Sequence, residues 1–139
     1  MSVNTWIIVA GDPAIGTLID TARSLGGSVS VAVVGPREVA DTVAAAGVDK
    51  VTWFGEPGSA PAEAYAVAVA DAIAAAAPSL VLAANRASDR VLLGAAAASP
   101  QAPALTGVKW VAAAGDAVVV SCSTCGGIAE ETVSVTGPL

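Results

Sequence analysis

Histidine is missing from this sequence altogether, and with it go the commonest general base and the commonest metal ligand. Positive charge is scarce as well. Six Lys and Arg stand against twelve Asp and Glu, for a net charge of −6, and the six are scattered. Neutralising a phosphate backbone takes clustered cations, so nucleic acid is not an expected partner. Aromatic residues are 4% of the chain and charged residues 13%. No apolar run has the length of a membrane-spanning helix; the longest candidate, Ala62 to Ala77, is interrupted by Glu63 and Asp71. Met1 to Thr5 carries no Lys or Arg, so the basic start of a secretory signal is lacking. A cytoplasmic protein without membrane insertion is the expectation.

What the chain does have is small apolar side chains. Hydrophobic residues reach 55%, with alanine and valine prominent among them, which predicts a closely packed core and argues against disorder. A length of 139 residues suits one domain, so 1–139 is read as a single domain, able to bury roughly two-thirds of its unfolded surface. The thin polar coat predicts that part of the surface is covered by a partner.

Trp6 to Ala10 (WIIVA) is a short continuous apolar run, the pattern of a strand buried on both faces. Gly11, Asp12 and Pro13 end it, and Ile15 to Leu25 reads as a helix closed by Gly26-Gly27. Val29 to Val34 is a second strand, Arg37 to Ala46 a second helix and Lys50 to Phe54 a third strand. After the loop Glu56 to Pro61, an alanine-rich helix over Ala62 to Ala76 stops at Pro78, and Leu80 to Ala84 is a fourth strand. A helix over Asp89 to Ala98 follows, with Ser88 as its N-cap. Lys109 to Ala113, Ala117 to Cys122 and Ile128 to Val135 then read as strands with no helix between them.

Alternating strands and helices give a parallel sheet with right-handed crossovers. The expected fold is therefore α/β and three-layered, a mostly parallel Rossmann-like or adenine-nucleotide-hydrolase-like sheet with flanking helices. The closing strands should extend it antiparallel. Ile7, Val9, Val31, Val33, Leu80 and Leu82 are the predicted core of the sheet.

In an open α/β sheet, ligands bind beyond the carboxyl ends of the strands, where strand order reverses. The residues there are Gly11 and Asp12 after the first strand, and Asn85 and Arg86 after the fourth. Gly11 permits close approach of backbone to a ligand, and Asn85 and Arg86 can meet a phosphate or an adenine edge. The competing reading makes Gly11-Asp12 a turn and pairs Arg86 with a carboxylate. Gly11 to Gly16 (GDPAIG) lacks the middle glycine of G-x-G-x-x-G, and no P-loop lysine is present. No metal site is expected: Cys122 and Cys125 form a C-x-x-C without two further Cys or His ligands. Nor does the pair open a helix, where a thiol pKa would be lowered. Ordinary reduced cysteines are expected, with a redox pair as the alternative. Glu130 and Glu131 are neighbours on a strand, face opposite sides, and are expected to be solvated. No catalytic residue is identified.

Ala22 to Val29, Gly47 to Val51, Pro78 to Ala83, Pro103 to Val108 and Cys125 to Ala129, taken in that order, resemble the N-terminal domain of the electron-transfer flavoprotein α-subunit. Ala22 to Val29 (ARSLGGSV) is similar to the family's "A-R-x-L-G-G-x-V", and Gly47 to Val51 (GVDKV) to its "G-V-D-K-V". Pro78 to Ala83 (PSLVLA) is similar to "P-D-L-V-L-A", Pro103 to Val108 lies at the post-helix segment, and Gly126 to Ala129 (GGIA) at the "G-G-x-A" hairpin. Cys122 and Cys125 stand near positions where the family commonly has an arginine and an aromatic.

The resemblance implies a scaffold and partner-binding domain without a catalytic site of its own. It would support flavin-mediated electron transfer in a complex with a β-subunit-like protein. The family's FAD-binding second domain would lie after Leu139, so its flavin signature is absent from this sequence. The "D-D-D-x-x-Q-T" loop that resembles the β-subunit's AMP site is absent too. No cofactor is then expected in this chain alone, with FAD, and AMP as a second candidate, in the full complex. The alternative is a stand-alone adenine-nucleotide-binding module using Gly11, Asp12, Asn85 and Arg86.

Overall fold

The computed structural model describes residues 3–98 and 100–139. Four strands form the parallel sheet: β1 (Val3–Ala10), β2 (Gly26–Val34), β3 (Lys50–Gly55) and β4 (Leu80–Ala83). Their spatial order is β3-β2-β1-β4, so the order reverses between β1 and β4. The period-two alternation of a strand sorts the core residues to two faces. Ile7, Val9, Val31 and Val33 meet Ile19 and Ala22 of α1 (Gly16–Ser24) and Val39, Ala40 and Val43 of α2 (Arg37–Ala45). Trp6, Ile8, Ala32 and Val34 meet Val69 and Ile73 of α3 (Ala66–Ala76) and Leu92 and Ala96 of α4 (Ala87–Ala98). This is the three-layer α/β arrangement expected.

β1 and β2 begin three residues earlier than their apolar runs. The amino end of β2 passes so close to β1 that a Cβ on Gly27 would collide with the Val3 carbonyl. The alanine-rich segment begins as a 3-10 turn over Ala62–Tyr65 before α3 proper. α3 ends on Ala77 in the left-handed region, φ 47°, a conformation costing an L residue roughly 1–2 kcal/mol, and Pro78 prevents continuation. α4 starts at Ala87, so Ser88 lies inside its first turn and is not the cap. Asp89, the expected helix start, is the acidic member of that turn.

The last three strands, β5 (Val108–Ala114), β6 (Ala117–Thr124) and β7 (Ala129–Thr136), form a separate antiparallel sheet in the order β5-β6-β7. Their antiparallel pairing is as expected; they form a sheet of their own rather than an extension of the parallel one. The inward residues of β6, Val118, Val120 and Cys122, instead pack face-on against Val3, Leu25 and Leu80. Burial of that apolar stripe, rather than edge pairing, decides where the sheet sits. Of the predicted core residues, Ile7, Val9, Val31, Val33 and Leu80 are buried, while Leu82 is only partly so. Leu82 packs against both the α1–α2 side of the core and the β6 stripe. No helix among the described residues is long and apolar enough to cross a membrane.

Candidate functional site

The reversal of strand order places the carboxyl ends of β1 and β4 at the rim where α/β sheets bind ligands. Gly11 leaves β1 with φ +88°, a conformation that favours glycine, and its N–H donates to the Val34 carbonyl at 2.9 Å. Gly35 crowds it from the next strand: a Cβ there would stand 3.2 Å from the Gly11 Cα. Asp12 accepts the Ala14 N–H on Oδ1 at 2.9 Å, which fixes the turn.

Arg86 spans the rim. Its guanidinium pairs with Asp12 Oδ2 at 3.1 Å and donates to the carbonyls of Asp12 and Ala14 at 3.4 and 3.3 Å. Its donors are therefore directed at the β1–α1 loop, not at open space. Asn85 is exposed. Of the four predicted rim residues, Asp12 and Arg86 touch each other, and Gly11 shapes the turn that brings them together.

Asp89 was not anticipated as part of this site. It is 1% exposed, and its Oδ1 accepts the Ala10 N–H at 3.0 Å. Oδ2 has no hydrogen-bond partner among the described residues. Burial raises the Asp89 carboxyl above the ordinary aspartate range; the Ala10 N–H and the Arg86 guanidinium pull the other way without cancelling it. A first-turn acid after a buried strand was the only sign in the sequence, and any helix N-terminus favours such a residue.

The remaining candidates stay apart from the rim. Cys122 is buried on the inner face of β6, and Cys125 is exposed in the β6–β7 turn at φ 51°. Both thiols are free. Glu130 is not simply solvated: it accepts from the Ser121 hydroxyl and lies 4.0 Å from the Lys109 ammonium. Glu131, next along β7, is exposed. Among the described residues no group of three His, Cys, Asp or Glu side chains could hold a metal ion.

A flavin dinucleotide requires several donors on its pyrophosphate and an enclosure for its ring. The rim does not fit that group: the Arg86 guanidinium is engaged by Asp12 and two backbone carbonyls, and the glycine turn is incomplete. The arrangement braces the strand ends: Arg86 ties the β1–α1 loop and Asp89 the end of β1.

Compared with known proteins, the chain matches the family of the electron transfer flavoprotein domain over residues 12–139. No curated protein matches it.

Proposed function

The chain belongs to the electron transfer flavoprotein domain family, and from that premise we propose that it is the N-terminal, α-subunit-type domain of such a protein. In this reading it acts in the cytoplasm and positions a flavin-bearing second domain against a β-subunit-like partner. Electron transfer then runs through FAD held by those units, with AMP as a second candidate ligand of the full complex. The observation that carries the reading is Arg86. The cation best placed to take a phosphate at the strand ends is bound by Asp12 and two backbone carbonyls. A domain whose rim is filled by its own side chains suits a structural role.

The rival reading, a stand-alone adenine-nucleotide module at Gly11, Asp12, Asn85 and Arg86, requires Arg86 to leave Asp12 on binding. The discriminating experiment is reconstitution. Mixed with a flavin-bearing second domain and a β-type subunit, the chain should co-elute with them, and leaving it out should lower the FAD retained. Retention of FAD that is indifferent to this chain would contradict the proposal.

A further inference from the structure

α3 and α4 lie side by side on one face of the parallel sheet. Each turns a buried stripe inward, Val69 and Ile73 from α3 and Asp89, Leu92 and Ala96 from α4. A surface helix is ordinarily polar on the side away from its core. These two are not. Val67, Asp71 and Ala74 of α3 recur at i, i+4 and i+7, and all three are exposed. Ala87, Val91, Gly94 and Ala98 of α4 follow the same spacing and are exposed as well. The helical step puts each set on one face, opposite the buried stripe. Val67 is 73% exposed and Val91 46%, two of the large apolar side chains that the fold leaves open.

A helix that is apolar all round is one that something covers. It is not a bilayer core: helices of 11 and 12 residues rise about 16–18 Å, against roughly 30 Å of hydrocarbon. The charges on the face point to its occupant. Asp71 is the single charged residue of α3, and Arg90 is the single exposed charged residue of α4. Neither forms an ion pair among the described residues. A surface with one unpaired acid on one helix and one unpaired base on its neighbour is complementary to itself. Turned about a two-fold axis running between the helices, α3 of one copy lies on α4 of the other. Asp71 then meets Arg90 of the second copy, and Arg90 meets the second copy's Asp71. Val67 and Val91 are covered between the two pairs, and the small side chains of Ala74, Gly94 and Ala98 allow close approach.

We infer that the exposed α3–α4 face is an isologous contact between two copies of this chain, built on Val67 and Val91 and fixed in register by reciprocal Asp71–Arg90 pairs. A contact of two short helices per copy is at the small end of the interface range, so the dimer is weak and concentration-dependent.

Sedimentation velocity over a concentration series of the purified chain reads this directly: the mean mass should climb from one chain toward two. Gly94→Arg places a long cation at the centre of the face, where an added Cβ meets nothing within 4 Å in the single chain. That variant should keep the wild-type melting temperature at low concentration and stay at the mass of one chain. Asp71→Arg and Arg90→Asp each set like charges opposite one another in both pairs, and each should raise the dissociation constant roughly tenfold or more. Mixed in equal amounts, the two variants restore both pairs and should form a mixed dimer as readily as wild type. A mass that stays at one chain throughout, a dimer that Gly94→Arg leaves intact, or single variants that do not rescue each other would overturn the inference. So would a monomeric chain that sediments with neutral phosphatidylcholine vesicles, which would give the face to a membrane surface instead. None of these readouts involves flavin, so either result leaves the proposed function to its own test.

Discussion

The Asp89 carboxyl accepts the N–H of Ala10 at 3.0 Å, two residues past the last pairing of β1 with β4 at Ile8 and Ala83. On that side of β1 the sheet has run out of partner, and α4 supplies the missing acceptor. A buried N–H without a partner costs about 1–3 kcal/mol, so the contact locks the start of α4 to the end of β1.

That relationship gives a pH-dependent stability. The Asp89 carboxyl is raised above the ordinary aspartate range by burial, so the folded state favours its neutral form. The contribution is fully present below the unfolded-state pKa and is lost as pH rises through the folded one. Asp89→Asn keeps an acceptor for Ala10 and removes the titration. Thermal melts from acid to neutral pH should show wild type losing ground to Asp89→Asn as pH rises. Asp89→Ala, which leaves the Ala10 N–H without an acceptor, should lie below Asp89→Asn by about 1–3 kcal/mol at every pH. Parallel wild-type and Asp89→Asn curves would show that the buried carboxyl is not being titrated on folding.

Arg86→Ala should lower stability by about 1 kcal/mol, since the guanidinium is partly exposed but holds the β1–α1 loop at three oxygens. Asp12→Asn frees the same guanidinium from its ion pair. Calorimetry with ADP should detect no tight binding to wild type. Tight binding that Arg86→Ala abolishes would favour the nucleotide-module reading over the scaffold reading.

The two cysteines should behave differently. Cys125 is exposed in a turn, so Cys125→Ser should leave the melting temperature unchanged. Cys122 sits among Val118, Val120 and Leu80, and Cys122→Ser places a hydroxyl there at a cost of about 1–3 kcal/mol. Cys122→Ala should restore most of the loss. Equal effects of the two serine variants, read by denaturant unfolding, would contradict this placement.

Much of this architecture was legible because it follows from local pattern. The runs at Trp6–Ala10 and Val29–Val34 admit no surface-exposed face, and the glycines and prolines between elements fix where each one stops. The family resemblance rested on such junctions, and the match over residues 12–139 agrees with it at family level. What the sequence did not show was long-range. Asp89 looks like any first-turn acid until β4 is seen to end before Ala10. The stripe Val118, Val120, Cys122 reads equally well as a strand joining the parallel sheet or as a face packed on its end. That Arg86 pairs with a carboxylate was one of the two readings the sequence offered; that the carboxylate is Asp12 was not visible in it.

The central claim is that this chain positions a flavin held elsewhere. The most direct measurement is the visible absorbance of the purified chain after incubation with FAD and gel filtration, alone and together with a flavin-bearing second domain and β-type subunit. The account predicts a colourless chain when alone and a yellow, co-eluting complex when the partners are supplied. A yellow chain that keeps stoichiometric FAD through gel filtration with no partner present would contradict it.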